Sequence, residues 1–488
     1  LLGHEMSQTV KEASTIEGDA GKEHYYQSSF YDVSKIASPK TTSSYEKSAM
    51  LSFFARLNYS YLDRYLFQAS LRADGSSVLA DGHKWGYFPS ASAGWRISEE
   101  KFMAGTKSWL DNLKLRVSWG LSGNAAIDPY MTLVTISAIV PNSTNKAPMT
   151  MANPELTWEK TSAFDLGLDF SFLNGRINGG IDYYFSKTYD LLYYMTAPAS
   201  SVYTSTLGNV GETKGRGLEL SINAVPVQTE DFKWDVNASL TMSKDEVTKL
   251  RDGVDQVIDG NDVLKVGESI SAFSQYEIQN CWGIGEFDQY VADFKAKTGL
   301  DFKKPNEDYG NPGTLRVVDQ DQNGIIDDDD RIVFSRTPKA ILGMTNTFTY
   351  KNFSLSVQMM ARLGGYMNYG GYNLFTYDNA NWGELSYWTP QNTNTIIPSP
   401  GTSSKGGASY KDAVCMVKAD YFKVKDITLS YLLPKSVIKN AMIQNAKFYC
   451  SLKNFITTGE ISGYDSERGG SVTFPLAKQV VVGVNVTF

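Results

Sequence analysis

Cysteine and histidine are both scarce in this chain of 488 residues. The chain has three cysteines and three histidines, which are Cys281, Cys415, Cys450, His4, His24 and His83. An odd, widely spaced set of cysteines fits neither a disulfide framework nor a structural zinc site. Three histidines are too few for most histidine-based metal or acid–base sites. We therefore expect neither a disulfide-rich protein nor a zinc protein.

Long apolar runs and an excess of positive charge are also missing. No stretch of about 18 apolar residues occurs, so no helix is expected to span a membrane. Lysine and arginine total 46 against 53 aspartate and glutamate residues, a net charge of −7. Proteins that bind nucleic acid are usually basic, so none is expected as a partner. Nucleotide-binding, zinc-protease and serine-hydrolase motifs are absent, and we expect no enzyme.

The chain is instead rich in alternating segments, of which its last nine residues are the clearest. One face of this segment would carry Val480, Val482, Val484, Val486 and Phe488, and the other Val481, Gly483, Asn485 and Thr487. Successive side chains of a strand point to opposite faces, so one face is apolar and the other mostly small or polar. This pattern favours a transmembrane strand with lipid on one side and a wet lumen on the other. A terminal strand of a soluble β-sandwich is the alternative.

Similar segments recur along the chain, and the connections between them alternate in length. Leu113 to Ser122, Phe164 to Phe172 and Trp234 to Met242 all alternate, with charged residues on the polar faces. Short turns are predicted at Leu62-Asp63, Leu173-Asn174-Gly175 and Lys351-Asn352, with long polar connections between them. Outer-membrane barrels combine short periplasmic turns with long extracellular loops. We therefore predict an all-β fold, a transmembrane antiparallel β-barrel whose C-terminus lies at the periplasmic side.

The predicted strands begin near residue 49, and residues 1–48 are expected to form an extracellular loop region before them. Residues 49–488 would then supply about 13 strands, an odd number, whereas single-chain bacterial barrels have even numbers. The chain is therefore expected to be the C-terminal part of a larger barrel. Its long extracellular loops would include residues 250–340 and 366–420, with the strand-like piece Ala272 to Gly285 inside the first. A change of phase at Lys425-Asp426 predicts a β-bulge in strand 421–433.

A calcium-type loop occupies Asp319 to Asp330, with the sequence D-Q-D-Q-N-G-I-I-D-D-D-D. Its spacing matches the calcium loop of an EF-hand, with a glycine at the sixth position, Gly324. The candidate metal ligands are Asp319, Asp321, Asn323, Ile325 through its backbone carbonyl, Asp327 and Asp330. Asp330 replaces the usual bidentate glutamate, and no amphipathic helices are predicted beside the motif, so it is the loop and not an EF-hand domain. We expect a structural Ca²⁺ that fixes the 250–340 loop, and a solvated acidic turn without metal is the alternative.

The 366–420 loop is rich in aromatic residues: Tyr366, Tyr369, Tyr372, Phe375, Tyr377, Trp382, Tyr387 and Trp388. Aromatic faces stack on sugars and are enriched at protein interfaces. They also pack loops together or form a belt at the membrane interface. These uses remain open, and no substrate-contacting residue is assigned.

Motifs spread along the whole chain resemble the C-terminal barrel portion of SusC/RagA-type TonB-dependent outer-membrane transporters. They are R-A-D-G-S-S (72–77), W-G-Y-F-P-S-A-S-A-G-W-R (85–96), N-P-E-L-T-W-E (153–159), G-L-D-F-S-F-L-N-G-R (167–176), G-R-G-L-E-L (215–220), the calcium-type loop ending at Arg331, Y-W-T-P (387–390), K-D-I-T-L-S-Y-L-L-P (425–434) and G-Y-D-S-E (463–467). Each motif is weak alone, and their order and spacing carry the resemblance. Ser466 stands where the family usually has proline.

The resemblance implies a plugged barrel of about 22 strands in the outer membrane of a Gram-negative bacterium. It also implies a SusD-like surface lipoprotein as a lid, and TonB contacted through a segment before the plug. Family members import oligosaccharides or peptides. The plug, the TonB-contacting segment and the first strands lie outside this sequence, so the remaining N-terminal part is an expected partner. A lidless siderophore-type receptor, a passive porin and a soluble calcium-binding β-rich adhesin are the alternatives.

Overall fold

A computed structural model describes residues 1–19, 37–133, 150–196, 205–250, 253–259, 261–369, 386–399, 410–438, 443–461, 465–469 and 476–488. Within these ranges the chain is dominated by β-strands. None of the helices in these ranges is both long and apolar enough to cross a membrane.

The strands, in chain order, are β1 (Leu2–Asp19), β2 (Ala37–Tyr61), β3 (Tyr65–Ser76), β4 (Trp85–Arg96), β5 (Leu110–Asn124), β6 (Thr150–Met151), β7 (Glu159–Phe172), β8 (Ile177–Tyr189), β9 (Leu192–Thr196), β10 (Ser205–Asn209), β11 (Glu212–Gln228), β12 (Phe232–Lys249), β13 (Gln256–Asp259), β14 (Asp262–Lys265), β15 (Ala272–Tyr276), β16 (Ile278–Cys281), β17 (Leu315–Val317), β18 (Arg331–Ser335), β19 (Ala340–Tyr350), β20 (Phe353–Leu363), β21 (Tyr366–Asn368), β22 (Met416–Lys418), β23 (Tyr421–Leu432), β24 (Asn445–Gly459) and β25 (Gln479–Thr487). The α-helices are α1 (Glu286–Thr298), α2 (Lys411–Val414) and α3 (Lys435–Ile438). Short 3₁₀ helices span Ile97–Glu99, Lys101–Thr106, Asp328–Asp330 and Ser466–Arg468.

Fourteen of these strands form one large sheet in the order β1-β2-β3-β4-β5-β7-β8-β11-β12-β19-β20-β23-β24-β25. Each strand lies beside the next strand of the sheet along the chain, which is an up-and-down order. The smaller sheets are β6-β10-β9, β13-β14-β15-β18, β16-β17 and β21-β22. The four smaller sheets all belong to connections between strands of the large sheet.

The prediction that residues 1–48 form a loop region is wrong. β1 pairs antiparallel with β2 from Leu2↔Ala55 to Asp19↔Ala37. A tilted transmembrane strand needs about 9–11 residues to cross the bilayer, and β1 and β2 are much longer than that. The part of a strand beyond the bilayer needs no apolar face. The stretch around Lys40 to Lys47 is polar on both faces and therefore has the composition of a loop.

Most of the other predicted strands agree with the structure to within a few residues. The short turns lie where the sequence placed them, with positive φ at Leu62, Asp63, Leu173, Asn174 and Lys351. The predicted bulge is confirmed, because Lys425 has no partner in β20 or β24 while Val424 and Asp426 are both paired. The strand-like piece after residue 272 forms β15 and β16, which belong to small sheets within the 250–340 connection, as expected.

Apolar side chains of β25 are exposed on one face, as the alternation predicted. Val480, Val482, Val484, Val486 and Phe488 are all exposed. β25 pairs with β24, where Val484 lies opposite the exposed Phe448. Exposed apolar faces of this kind are characteristic of a sheet whose surroundings are not water.

The chain divides into two compact units, each with its own small core. One unit comprises Leu1–Gly94, Val117–Phe164 and Ser186–Glu212, and the other Trp95–Arg116, Asp165–Phe185 and Thr213–Phe488. In the first unit Val78, Leu79, Phe88 and Trp158 are buried together, with Phe88 and Trp158 in an edge-on contact at 5.3 Å. In the second, a larger aromatic core lies mainly in the connection between β12 and β19, and the connection between β20 and β23 adds Trp388, Tyr410 and Val414.

Candidate functional site

The calcium-type loop is held by the aromatic core of the second unit. Trp282, Phe287, Phe302 and Tyr309 are buried there and meet one another mostly edge to face at 5–6 Å. The Tyr309 hydroxyl accepts a hydrogen bond from the backbone N–H of Val317, 3.2 Å away. Burial raises the pKa of Tyr309, which therefore stays neutral. Val317 lies just before the acidic loop, so this core fixes where the loop begins.

Helix α1 supplies one wall of this core. It runs between two glycines with left-handed backbone, Gly285 and Gly299, and its apolar residues are Phe287, Tyr290, Val291 and Phe294. This spacing puts them on one helical face. This helix was not predicted, because it lies within a long polar connection, although its bracketing glycines and the spacing of its apolar residues are local features of the sequence.

Three of the predicted ligands lie together at the end of this core. Asp319, Asp321 and Asp330 each offer a carboxylate oxygen, and these oxygens lie within 4.8 Å of one another. Asp319 and Asp330 are buried, whereas Asp321 is exposed. Two buried carboxylates and one exposed carboxylate at this separation repel one another unless a cation lies between them.

Backbone N–H groups orient the buried carboxylates. Asp330 accepts from Gln320 at 2.7 Å and, with its other oxygen, from Asp327 at 2.9 Å. Asp319 accepts from Gly324 at 2.9 Å through Oδ2. Its Oδ1 is buried and has no hydrogen-bond partner among the residues that the structure describes. An unsatisfied buried carboxylate oxygen costs free energy, and a bound cation would satisfy it.

The electrostatics of Asp319 point the same way. Burial raises its pKa, and the neighbouring charge of Asp330 raises it further against the hydrogen bond from Gly324. Without a bound cation the ionised form of Asp319 is therefore less stable than that of a solvent-exposed aspartate. A divalent cation would reverse this, because it favours the ionised carboxylate.

The other three predicted ligands are engaged differently. Asn323 bonds through its side chain to Asp321 at 2.8 Å and accepts from the backbone of Ile325 at 2.6 Å. Asp327 caps the 3₁₀ helix Asp328–Asp330 and accepts from the backbone of Asp329 at 3.0 Å. The backbone of Ile325 pairs with Lys303 in an isolated bridge. The structure therefore brings together Asp319, Asp321 and Asp330, while the remaining three organise the turn around them.

A second charged cluster lies on β23 and was not anticipated from the sequence. Lys423, whose side chain is completely buried, contacts Asp465 at 2.6 Å and Glu467 at 3.0 Å, and Lys425 contacts Glu467 at 2.6 Å. Burial raises the pKa of Glu467, but hydrogen bonds from Lys425 and Lys423 outweigh this and leave the pKa lowered. The two carboxylates belong to the G-Y-D-S-E motif. No local sequence pattern indicates that this motif pairs with Lys423.

Only part of the aromatic-rich loop falls within the described residues. Tyr369 and Trp388 are buried, and Tyr366 packs edge-on against Phe334 at 5.0 Å, whereas Tyr387 is exposed. Tyr372, Phe375, Tyr377 and Trp382 lie outside the described residues. The described members therefore mostly pack the loops.

Comparisons with known proteins agree with this architecture. Residues 7–445 match a family model described as TonB dependent receptor-like, beta-barrel. TonB-dependent receptor P26 of Formosa agariphila is 32% identical over 482 residues, covering 92% of this chain and 47% of that protein. TonB-dependent receptor SusC of Bacteroides thetaiotaomicron is 30% identical over 462 residues, covering 91% of this chain and 44% of that protein. The chain thus spans about half the length of the curated relatives it matches.

Solved structures give the same answer. The structure of the RagAB peptide transporter has a TM-score of 0.76 to this chain at 25% identity. The match covers 100% of this chain and 53% of the transporter chain. The RagAB peptide importer in its 'open-open' state matches with a TM-score of 0.74 at 25% identity. The family consists of outer-membrane receptors, and the fold of this chain is the β-barrel of that family. This chain belongs to the TonB-dependent receptor β-barrel family and is of the SusC/RagA type.

Proposed function

We propose that this chain is the C-terminal part of the barrel of a TonB-dependent importer of oligosaccharides or peptides. The observation that carries the proposal is the fourteen-stranded up-and-down sheet, in a chain that matches the RagAB peptide transporter over 100% of its own length and 53% of that chain. The remaining strands, the plug and the segment that contacts TonB would come from the N-terminal part of the protein. With the C-terminus at the periplasmic side, the long connections face the outside of the cell.

A surface lipoprotein of the SusD type is the proposed lid over these connections. Relatives of the SusC/RagA type support it, and the packed core of the 250–340 connection offers an ordered platform rather than a loose loop. Affinity purification of the complete transporter from solubilised outer membranes tests the lid. Stoichiometric recovery of a lipoprotein supports it, whereas recovery of the barrel alone favours the lidless receptor or the porin. The family match leaves the soluble adhesin without support.

We also propose that Asp319, Asp321 and Asp330 bind Ca²⁺, with Asn323, Ile325 and Asp327 shaping or completing the site. The buried Asp319 oxygen without a partner and the convergence of three carboxylates support this. Hard cations prefer six to eight oxygen ligands, so water would supply some of them. The ion would neutralise the cluster and tie the end of the loop to β18, which starts at Arg331. Its role is structural.

Terbium luminescence tests the ion site without any transport assay. Tyr290 and Asp319 line the same cavity of about 280 Å³, so the ring is placed to sensitise a lanthanide bound at Asp319. We expect Ca²⁺ to displace bound terbium, and Asp319→Asn with Asp321→Asn to abolish the signal. Asp288→Asn, on the first turn of α1, is the control. Equal luminescence from the double variant and the unaltered protein would refute the site.

A further inference from the structure

A cavity of about 530 Å³ opens beside β8, β11 and β12, near the ends that lead into the long connections. Its walls come from these strands and from the segments 267–269, 335–339 and 365–366. β12 pairs with β19 only as far as Thr241↔Ile341, so the last part of β12 continues without that neighbour. The cavity lies where the two strands separate.

The floor of the cavity belongs to the apolar face of the large sheet. Tyr183, Leu218 and Met242 line it and are exposed. Each follows the phase of the apolar alternation on its own strand, with Ile181 and Phe185 beside Tyr183 and Leu240 beside Met242. In a transmembrane barrel this face is the one that meets acyl chains.

Cations line the same cavity just beyond this apolar floor. Arg216 lies two residues before Leu218 on β11, and Lys244 lies two residues after Met242 on β12, so each cation shares the strand face of that apolar residue on the side of the long connections. Lys339 lies just before β19. Lys214 holds Glu246 at 2.9 Å, which leaves Lys244 3.8 Å from that carboxylate and 63% exposed. The cavity therefore presents positive charge where an apolar face ends.

Two carboxylates, Asp245 and Glu268, offset this positive charge only in part. Asp245 accepts hydrogen bonds from Ser269 at 2.7 Å, from the backbone of Ile270 at 2.7 Å and from Thr337 at 2.8 Å. These donors stabilise its charge and tie the segments around 269 and 337 to β12. Glu268 is the other carboxylate of the lining, against three cations.

We propose that this cavity binds the phosphorylated headgroup of a lipid of the surrounding leaflet. An apolar floor continuous with the lipid-facing surface suits acyl chains, and the cations above it suit phosphate oxygens. The height of the site in the outer leaflet rests on the proposed orientation of the barrel. The binding itself does not depend on import, so a failure of this proposal leaves the proposed transport intact, and the reverse also holds.

Native mass spectrometry of the complete transporter in detergent tests the proposal. The probes are diphosphoryl lipid A and the same lipid without its phosphates. We expect roughly hundredfold tighter binding of the phosphorylated lipid, since each of the three cations near the headgroup contributes about fivefold. Arg216→Gln with Lys244→Gln should reduce this preference to about fivefold, the share of Lys339. Lys447→Gln, an exposed cation on β24, is the matched control and should leave the preference unchanged.

Three results would overturn the proposal. The first is equal affinity of the unaltered protein for the two lipids, and the second is an unchanged preference in the double variant. The third is complete displacement of the lipid by inorganic phosphate at millimolar concentration, which would indicate a site for soluble anions. A heat-induced shift on gel electrophoresis verifies that each variant is folded. If the double variant does not fold, Lys339→Gln, outside the strands, should reduce the preference about fivefold.

Discussion

The ammonium group of Lys423 lies 2.6 Å from a carboxylate oxygen of Asp465, although the lysine side chain is completely buried. Glu467 provides a second carboxylate at 3.0 Å from Lys423, and it also forms an ion pair with Lys425. Asp465 also accepts from the backbone of Glu467 at 2.9 Å, which fixes the 3₁₀ turn Ser466–Arg468. One buried cation thus ties the connection after β24 to the wall of β23.

Replacement of this buried cation should be strongly destabilising. Lys423→Met removes the counter-charge of Asp465 and leaves Glu467 with Lys425 alone. Breaking a buried pair costs about 3–5 kcal/mol. Urea unfolding of the complete transporter measures this loss. Lys425→Met is the control, because Lys425 is one-third exposed and its single pair is worth up to about 1 kcal/mol. Similar losses in the two variants would contradict the assigned role.

Acid should weaken the same contact. The lowered pKa of Glu467 means that its ionised form stabilises the folded state at pH above the unfolded value. This contribution is lost as the pH falls through the folded value. The difference in unfolding free energy between the unaltered protein and Glu467→Gln should therefore shrink as the pH is lowered from about 7 to about 3. A difference that stays constant over this range would show that the pairing does not stabilise the fold.

Deletion of the bulged residue Lys425 should damage assembly more than its replacement. A shift of one residue in a strand turns every following side chain to the other face. The deletion would move the buried Lys423 towards the apolar face and Phe422 away from it. We expect little folded barrel by heat-modifiability on gels, whereas Lys425→Ala keeps the bulge and folds. Normal assembly of the deletion variant would be inconsistent with the observed register.

Gly324 should resist substitution because of both its backbone and its surroundings. Its φ is +81°, and an added Cβ would lie 2.9 Å from the carbonyl oxygen of Asp301. We expect Gly324→Ala to weaken terbium binding and to speed proteolysis of the 250–340 connection. Gly253→Ala is the control, since its φ is +76° but its Cβ would meet no atom within 4 Å. Equal effects would show that strain alone, without the close approach, limits this position.

The sequence predicted the large sheet well because period-two alternation is a local property. The strand ends, the tight turns and the bulge at Lys425 all follow from residues adjacent in the chain. β1 and the first half of β2 were missed for the same reason. Beyond the bilayer a strand needs no apolar face, and the pairing of Lys11 with Glu46 is not visible in either segment alone.

The candidate site was predicted only in part. The spacing of the acidic loop identified Asp319, Asp321 and Asp330, since a tight turn brings such positions together. The supporting core was not predicted, because Trp282, Tyr309 and Tyr410 come from distant segments. The Lys423 cluster was not predicted for the same reason, because the partners of Lys423 are some forty residues away in the chain.

Uptake by living cells tests the proposed TonB-dependent import. Cells that carry or lack the gene for the complete transporter are given a pool of fluorescently labelled oligosaccharides and peptides, with and without a proton ionophore. We expect a subset of the pool to accumulate only in cells with the gene, and the ionophore to abolish this accumulation. Uptake that depends on the gene but is unaffected by the ionophore would contradict TonB-dependent import and indicate a passive pore.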